Sequence, residues 1–389
     1  MLSLFDRSRG RRREFLRAGG LALGGLGLTG PVSALDLATA AGSPLRDRSV
    51  VFLFLHGGPS QIETFDPKLT APREISSTTG EVSTSIPGVT FGGTFPRLAS
   101  LADRLTIVRS FTTGDGNHDI KPIVSRHSGD ANVGTLYARI AGANRPGTGL
   151  PTNVALFPRS VDPETQEANN GFGRFTSTGG LGSGFAPFVP GAGGEQQLNM
   201  QLHCEQSRLD DRRALLRSLD DLRRRLDAQA ELSVLDPLRE QAFDTILGGA
   251  ADAFDLSRED AATVTRYDTA PLVRPDQIDR KWNNYNNYVD NAKTLGKLLL
   301  LARRLCERGC GFVTVTTNFV WDMHSDVNNA GVEEGMRYMG QPLDHAVSAF
   351  LEVVREQGFD ITLYDYVEHT LSAGGDAQAA SYVELQVDG

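Results

Sequence analysis

Cysteine is scarce: the 389 residues hold three, Cys204, Cys306 and Cys310. An odd count this small excludes a disulfide scaffold. Cys306 and Cys310 lie four apart, with Gly309 breaking the helical pattern between them. Both read as buried packing residues, with a bonded pair as the alternative. Neither has partners for a zinc site. Long apolar runs are missing beyond the amino end. Nowhere do roughly eighteen apolar residues follow one another, so the body is expected to be soluble. Positive charge is not in excess either. The formal net charge is -9, and no basic cluster stands outside helix-like stretches, which argues against nucleic acid as a partner. What is present is globular in composition, 40% hydrophobic and 22% charged, enough for a sizeable core.

Acidic residues are sparse near the amino end, where only Asp6 and Glu14 precede Asp36. A basic head from Arg7 to Arg13 leads into a mild apolar stretch, Ala18 to Leu28, about half as long as a membrane span requires. The core Arg12-Arg13-Glu14-Phe15-Leu16-Arg17 has the pattern of a twin-arginine export signal, and Val32-Ser33-Ala34 offers small residues for cleavage. Residues 1–34 are therefore expected to be a signal segment handled by the twin-arginine translocase. That places the protein in the periplasm or at the cell surface, membrane-anchored if the segment stays uncleaved. A plain basic tail is the alternative. The rest, 45–389, is expected to form a single domain.

Continuous β-branched and aromatic runs predict strands at Ser49–Leu55, Leu105–Val108, Asn153–Phe157, Gly311–Thr317 and, more weakly, Ile361–Tyr364. Helices are predicted over Phe95–Ala102, Arg208–Leu226 and Asn291–Arg308, and from Pro342, whose missing N–H costs nothing at a first turn, to a stop at Gly358. Alternating strands and helices predict an α/β fold, a mostly parallel central sheet with helices on both faces. Gly171–Gly194, glycine-rich with Phe172, Phe175, Phe185 and Phe188, reads as a long ordered loop. KWNNYNNYVDNAK reads as the lead-in to the helix that follows.

Three constellations carry chemistry. His56-Gly57-Gly58-Pro59-Ser60 follows the first strand, where ligands sit in open parallel sheets. Gly57 and Gly58 allow close backbone approach and N–H groups for an anion. His56 has a nitrogen for a metal, and Ser60 a hydroxyl that could be activated as a nucleophile. The same residues fit a tight strand exit in which Ser60 is a cap. Asp322-Met323-His324 follows the fourth strand. In an extended segment i and i+2 face the same way, so a carboxylate and an imidazole can meet one divalent cation, beside Trp321 and within reach of Asp326. A loop hydrogen-bond network is the alternative. Asp115-Gly116-Asn117-His118-Asp119, with His127 beyond, follows the second strand and could converge on the same place. His203, His345 and His369 read as structural or exposed.

VVFLFLHGGPSQIETFDPK, PGVTFGGTFPRLASLADRLTIVRSF, RRALLRSLDDLRRRLD, and AKTLGKLLLLARRLCERGCGFVTVT followed by WDMH occur in that order. Together they resemble the exported sulfatase-like proteins of domain of unknown function 1501, in the alkaline phosphatase superfamily, over about residues 49–358. The resemblance implies an alkaline-phosphatase-like fold with strand ends around a metal site, and hydrolysis of phosphate or sulfate esters. It places polar site residues at His56 to Ser60 with Glu63 and Asp66, around His118, and at Asp322 with His324. The C-terminal part is incomplete against the family pattern. Neither its glycine-glutamate-phenylalanine-glycine-arginine run nor its aspartate-histidine-tryptophan run is present, and the tail from Thr370 reads as unlike a packed continuation. A sulfatase signature is also missing, since Pro59 precedes Ser60 instead of following it.

The resulting expectation is a metal-dependent hydrolase of small-molecule or polysaccharide anionic esters. A divalent ion (zinc, calcium, manganese or magnesium) would be held by Asp322 and His324 with His56 and His118. Ser60 would be the catalytic residue, and Gly57 and Gly58 the anion-binding ones. The rival is a non-catalytic exported pseudoenzyme or binding protein that keeps the fold with an incomplete metal site.

Overall fold

A computed structural model of the chain describes residues 48–111, 128–168, 174–191, 205–212, 214–215, 249–318, 320–358, 360–368 and 381–388. The chain divides into two units, Met1–Arg48 and Ser49–Gly389. The leader, His118, His127, Phe172, His203, Cys204 and His369 lie outside the described residues, as does 216–226 of the helix expected over Arg208–Leu226. Its described part, within 206–215, is helical.

The five apolar runs are strands. β1 (Arg48–Phe54), β4 (Leu105–Phe111), β5 (Asn153–Leu156), β6 (Phe312–Thr316) and β7 (Asp360–Glu368) join β8 (Ser381–Asp388) in one sheet. The strand order is β4-β7-β8-β1-β6-β5. β1, β6 and β5 pair in parallel, as do β4 and β7, while β8 runs antiparallel to β7. Two short strands, β2 (Glu81–Ser83) and β3 (Thr90–Gly92), make a separate antiparallel pair. The helices are α1 (Pro96–Ser100), α2 (Val133–Ala141), α3 (Ala261–Tyr267), α4 (Tyr285–Glu307) and α5 (Val332–Glu356). The fold is α/β with a mostly parallel sheet.

The strand period of two sends alternate residues to opposite faces. Val51 and Leu53 of β1, with Val313 and Val315 of β6 and Val154 and Leu156 of β5, enter the main core. There they join Leu295, Leu298 and Leu299 of α4 and Val347 and Phe350 of α5. The other face carries Phe54 and Ala155, which pack with Phe157 and Phe175. On that face the Phe312 ring lies 6.1 Å from Tyr137 of α2. Both faces are covered, so every residue of β6 is buried, Thr314 and Thr316 included,.

Three details bear on the expectations. Helix α5 begins at Val332, not at Pro342, which sits inside it. An interior proline costs about 3 kcal/mol; the fully buried Met336 and Met339 on its amino side offset that cost through packing. Contrary to expectation, residues 381–388 of the tail form a strand of the sheet. β8 lies between β7 and β1, in register with β7 from Ser381 to Asp388. Its sequence alternates Val383, Leu385 and Val387 with polar residues, a strand period hidden behind the Ala- and Gly-rich stretch. Gly309 ends α4 as expected: its φ is 94°, and the Cys310 N–H returns to the Leu305 carbonyl at 2.9 Å,. Cys306 and Cys310 are free and buried. Burial pushes both thiols up, that of Cys310 to about 12.

One buried carboxylate joins two helices. Asp344 of α5 is 4% exposed. Its oxygens accept the N–H groups of Arg97 at 3.0 Å and Leu98 at 2.7 Å, the first-turn donors of α1 that have no intrahelical partner,. Burial pushes the Asp344 carboxyl up to about 6, against the two N–H donors and the Arg97 guanidinium, which pull it down. The folded chain therefore holds this proton at a pH where the unfolded chain, near 3.8, has released it. Stability from this group is full below about pH 4 and falls as pH rises through about 6. Urea unfolding between about pH 4 and pH 7 should show this decline, on the order of 2–3 kcal/mol, and Asp344→Asn should flatten it. Identical slopes in the two proteins would reject the assignment. The neighbouring His345 ties α5 to α1 and α3: Arg97 donates to Nδ1 at 2.7 Å, and Nε2–H donates to the Arg266 carbonyl at 2.9 Å.

Candidate functional site

Because β1 and β6 are parallel neighbours, their carboxyl ends open at one edge of the sheet, and the two segments leaving them meet there. Val320 and Trp321 donate their N–H groups to the His56 carbonyl at 3.2 and 3.1 Å. Gly57 has φ 109°, and a Cβ built on it would stand 2.6 Å from the Asp322 nitrogen and 2.9 Å from that of Trp321. Glycine is required twice over, by a left-handed backbone and by close approach. HGGPS and WDMH, separate in sequence, are thus one packed unit.

Within it Asp322 and His324 come together. His324 Nε2 lies 2.5 Å from Asp322 Oδ1, with the aspartate side chain 14% exposed and the imidazole 41% exposed. The chain turns tightly here, with the Met323 and His324 N–H groups donating to the Trp321 and Asp322 carbonyls, both at 3.1 Å, and the two side chains meet. Trp321, 1% exposed, is buried beside them. Asp326 faces its own turn instead. Its Oδ1 accepts the N–H groups of Asn328 at 2.8 Å and Asn329 at 2.7 Å, and these bonds hold its carboxyl below the usual range.

The other expected residues are spread out. His56 is 2% exposed, its ring 5.8 Å from that of Phe54 and 5.7 Å, edge-on, from that of Phe175. The Gly58 N–H closes a turn onto the Leu55 carbonyl at 3.1 Å, which sets it apart from the anion cradle expected of it. Ser60 is half-buried, and its carbonyl accepts the Glu63 N–H and the Thr64 hydroxyl, both at 3.1 Å. Glu63 is 2% exposed. One oxygen accepts the Thr78 N–H at 2.8 Å; the other accepts the Ser77 and Thr79 hydroxyls at 2.8 and 2.6 Å and the Thr79 N–H at 3.1 Å. That carboxylate is spent on shaping the loop 77–79. Asp66 pairs with Lys68 at 2.8 Å and Arg109 at 3.6 Å, and Arg109 also donates to the Phe65 carbonyl, so the turn after the strand exit is tied to β4. His118 lies outside the described residues. Among the described residues no three His, Cys, Asp or Glu side chains gather as a metal group.

The donor chemistry of the pair fits part of a divalent-metal site: an anionic oxygen and an imidazole nitrogen, adjacent and reachable from solvent. Sequence reasoning missed the residues that hold this segment. Asn283, Asn284 and Asn287 at the start of α4 bond to Asn328, Asn329 and Asn318. The signal was the asparagine richness of WNNYNN, mirrored by Asn328-Asn329.

Short stretches of the chain are similar to enzymes named 2-isopropylmalate synthase. That of Clavibacter michiganensis subsp. michiganensis is 65% identical over 43 residues, 11% of this chain and 7% of that protein. That of Kineococcus radiotolerans is 44% identical over 68 residues, 18% of this chain and 11% of that protein. The chain therefore spans only a small part of the length of these relatives. No solved structure matches it. The family model described as protein of unknown function (DUF1501) matches residues 47–363, most of the length, and the chain belongs to that family.

Proposed function

We propose that the protein is an exported, metal-dependent hydrolase of phosphate or sulfate esters, built on an alkaline-phosphatase-like fold. The observation that carries the reading is the Asp322–His324 pair, 2.5 Å apart, on a segment packed against the HGGPS strand exit. Asp322 and His324 would hold a divalent cation there, with His56 and His118 as the further candidates. When bound, such an ion polarises the ester oxygen and lowers the pKa of a water or hydroxyl at the site. The chain's own residues do the rest. Gly57 lets the strand exit pack against the Trp321–Asp322 backbone, and Asp322 orients the imidazole of His324 through their contact. The buried Trp321 and the Phe54–Phe175 aromatic wall around His56 limit water on the protein side. Ser60 is the candidate nucleophile, carried on the same exit turn. The basic leader supports export by the twin-arginine route.

The test is direct. Purified mature protein is expected to be stabilised by millimolar zinc, manganese, calcium or magnesium in a thermal shift. It is also expected to turn over an aryl phosphate or aryl sulfate ester, with loss of turnover on chelation. No metal-dependent shift together with no turnover overturns the reading in favour of the non-catalytic alternative.

A further inference from the structure

We propose that Asn283, Asn284 and Asn287 form an amide clamp that positions the Asp322–His324 pair by pinning both ends of the segment that carries it. The inference rests on the reading of that pair as the functional centre.

The hydrogen bonds form a head-to-tail relay. Asn318 Nδ2 donates to Asn287 Oδ1 at 3.1 Å, Asn287 Nδ2 to Asn284 Oδ1 at 2.9 Å, and Asn284 Nδ2 to Asn329 Oδ1 at 2.7 Å. Asn318 stands just beyond β6 and Asn329 just before α5, so the relay closes a loop around residues 319–328. Both are 3% exposed. A parallel rung joins Asn283 Nδ2 to Asn328 Oδ1 at 2.8 Å. The backbone adds two more, from Asn283 N–H to the Val327 carbonyl and from Asn284 N–H to the Asn328 carbonyl, both at 3.1 Å. The buried Tyr288 hydroxyl accepts the Ala330 N–H at 3.1 Å. The two inner amides, Asn284 and Asn287, each use one donor and one acceptor in a fixed direction. Neither an aspartate nor an alanine can replace either of these two without breaking a link. Such a network holds a loop in one geometry where apolar contacts would let it slide, and a metal or ester centre depends on that geometry.

Amide hydrogen exchange of the full chain and ester turnover together test this. Asn284→Ala and Asn287→Ala are expected to speed exchange at Trp321, His324 and Ala330 by about tenfold or more, with exchange in the centre of α5 unchanged. Where the parent turns over an ester, kcat should fall by about tenfold with KM within about twofold. Asn287→Asp, which keeps the acceptor for Asn318 and loses the donor to Asn284, should be intermediate. Unchanged loop exchange in the alanine variants overturns the clamp, and so does faster exchange with unchanged kcat. If the parent turns over nothing, the function reading fails alone and exchange still decides the clamp. If the two alanine variants do not fold, the exposed Asn283→Ala decides, with faster loop exchange expected and none overturning the clamp.

Discussion

The double variant Asp322→Ala, His324→Ala is expected to lose turnover of aryl phosphate and aryl sulfate esters by roughly 10²–10⁴-fold while folding as the parent does. The two halves of that expectation have separate causes. Turnover falls because the variant removes the anionic oxygen and the imidazole nitrogen that lie 2.5 Å apart at the edge of the sheet. Folding persists because the imidazole is 41% exposed and the aspartate does not enter the main core. Truncation of an exposed polar side chain such as His324 usually moves stability by less than about 0.5 kcal/mol. The segment keeps its bonds to the His56 carbonyl and its dock on α4. Full activity in the folded variant would end the hydrolase assignment at this site.

Glu259→Ala is expected to destabilise the protein by about 3–5 kcal/mol, the largest stability effect expected for an ionisable side chain here. Glu259 is the shared carboxylate of two buried guanidiniums on α4. Arg303 Nη2 lies 2.5 Å from one of its oxygens and Arg304 Nη1 lies 2.6 Å from the other. The arginine side chains are 3% and 7% exposed. Arg303 has a second carboxylate, Glu307, at 2.6 Å, whereas among the described residues Arg304 has only the Ala253 and Asp252 carbonyls besides Glu259. Removing Glu259 leaves a cation in the interior with neutral acceptors alone. Desolvation of that charge sets the cost, since the pair itself gains little over an apolar replacement. Hence Glu259→Leu combined with Arg303→Met and Arg304→Met should cost less than Glu259→Ala. Denaturant unfolding of both proteins tests this: a Glu259→Ala loss under about 1 kcal/mol, or a triple variant worse than the single, contradicts it.

Much of the architecture was legible because its signals are local. Val51, Leu53, Val313 and Val315 lie in continuous runs of β-branched, aliphatic and aromatic residues, and such runs are satisfied between two covered faces,. Gly309 marked the end of α4 because a positive φ is a single-residue property,. Pro342 misled for the same reason. Its local preference is for a first turn, yet burial of Met336 and Met339 on its amino side outweighs that preference. β8 was missed because strand pairing with β7 supplies backbone partners that a short polar-flanked alternation does not announce.

The candidate site divides along the same line. The closeness of Asp322 and His324 was readable from their spacing of two, although the chain between them turns instead of running extended. The fate of Glu63 was not. Its hydroxyl and N–H donors stand 14 to 16 residues away, and only the folded loop shows that its carboxylate is engaged. The asparagines of α4 meet partners 45 residues distant.

By itself, then, the sequence determined the kinds of elements and the residues standing at the ends of β1 and β6. Backbone stiffness, side-chain period and turn preference act over a few residues. Only the tertiary structure decided which carboxylates remain at the edge of the sheet, which are consumed, and what holds the Asp322–His324 segment in place. A hydrogen-bonding group is committed by its partner in space, and packing alone brings such partners together.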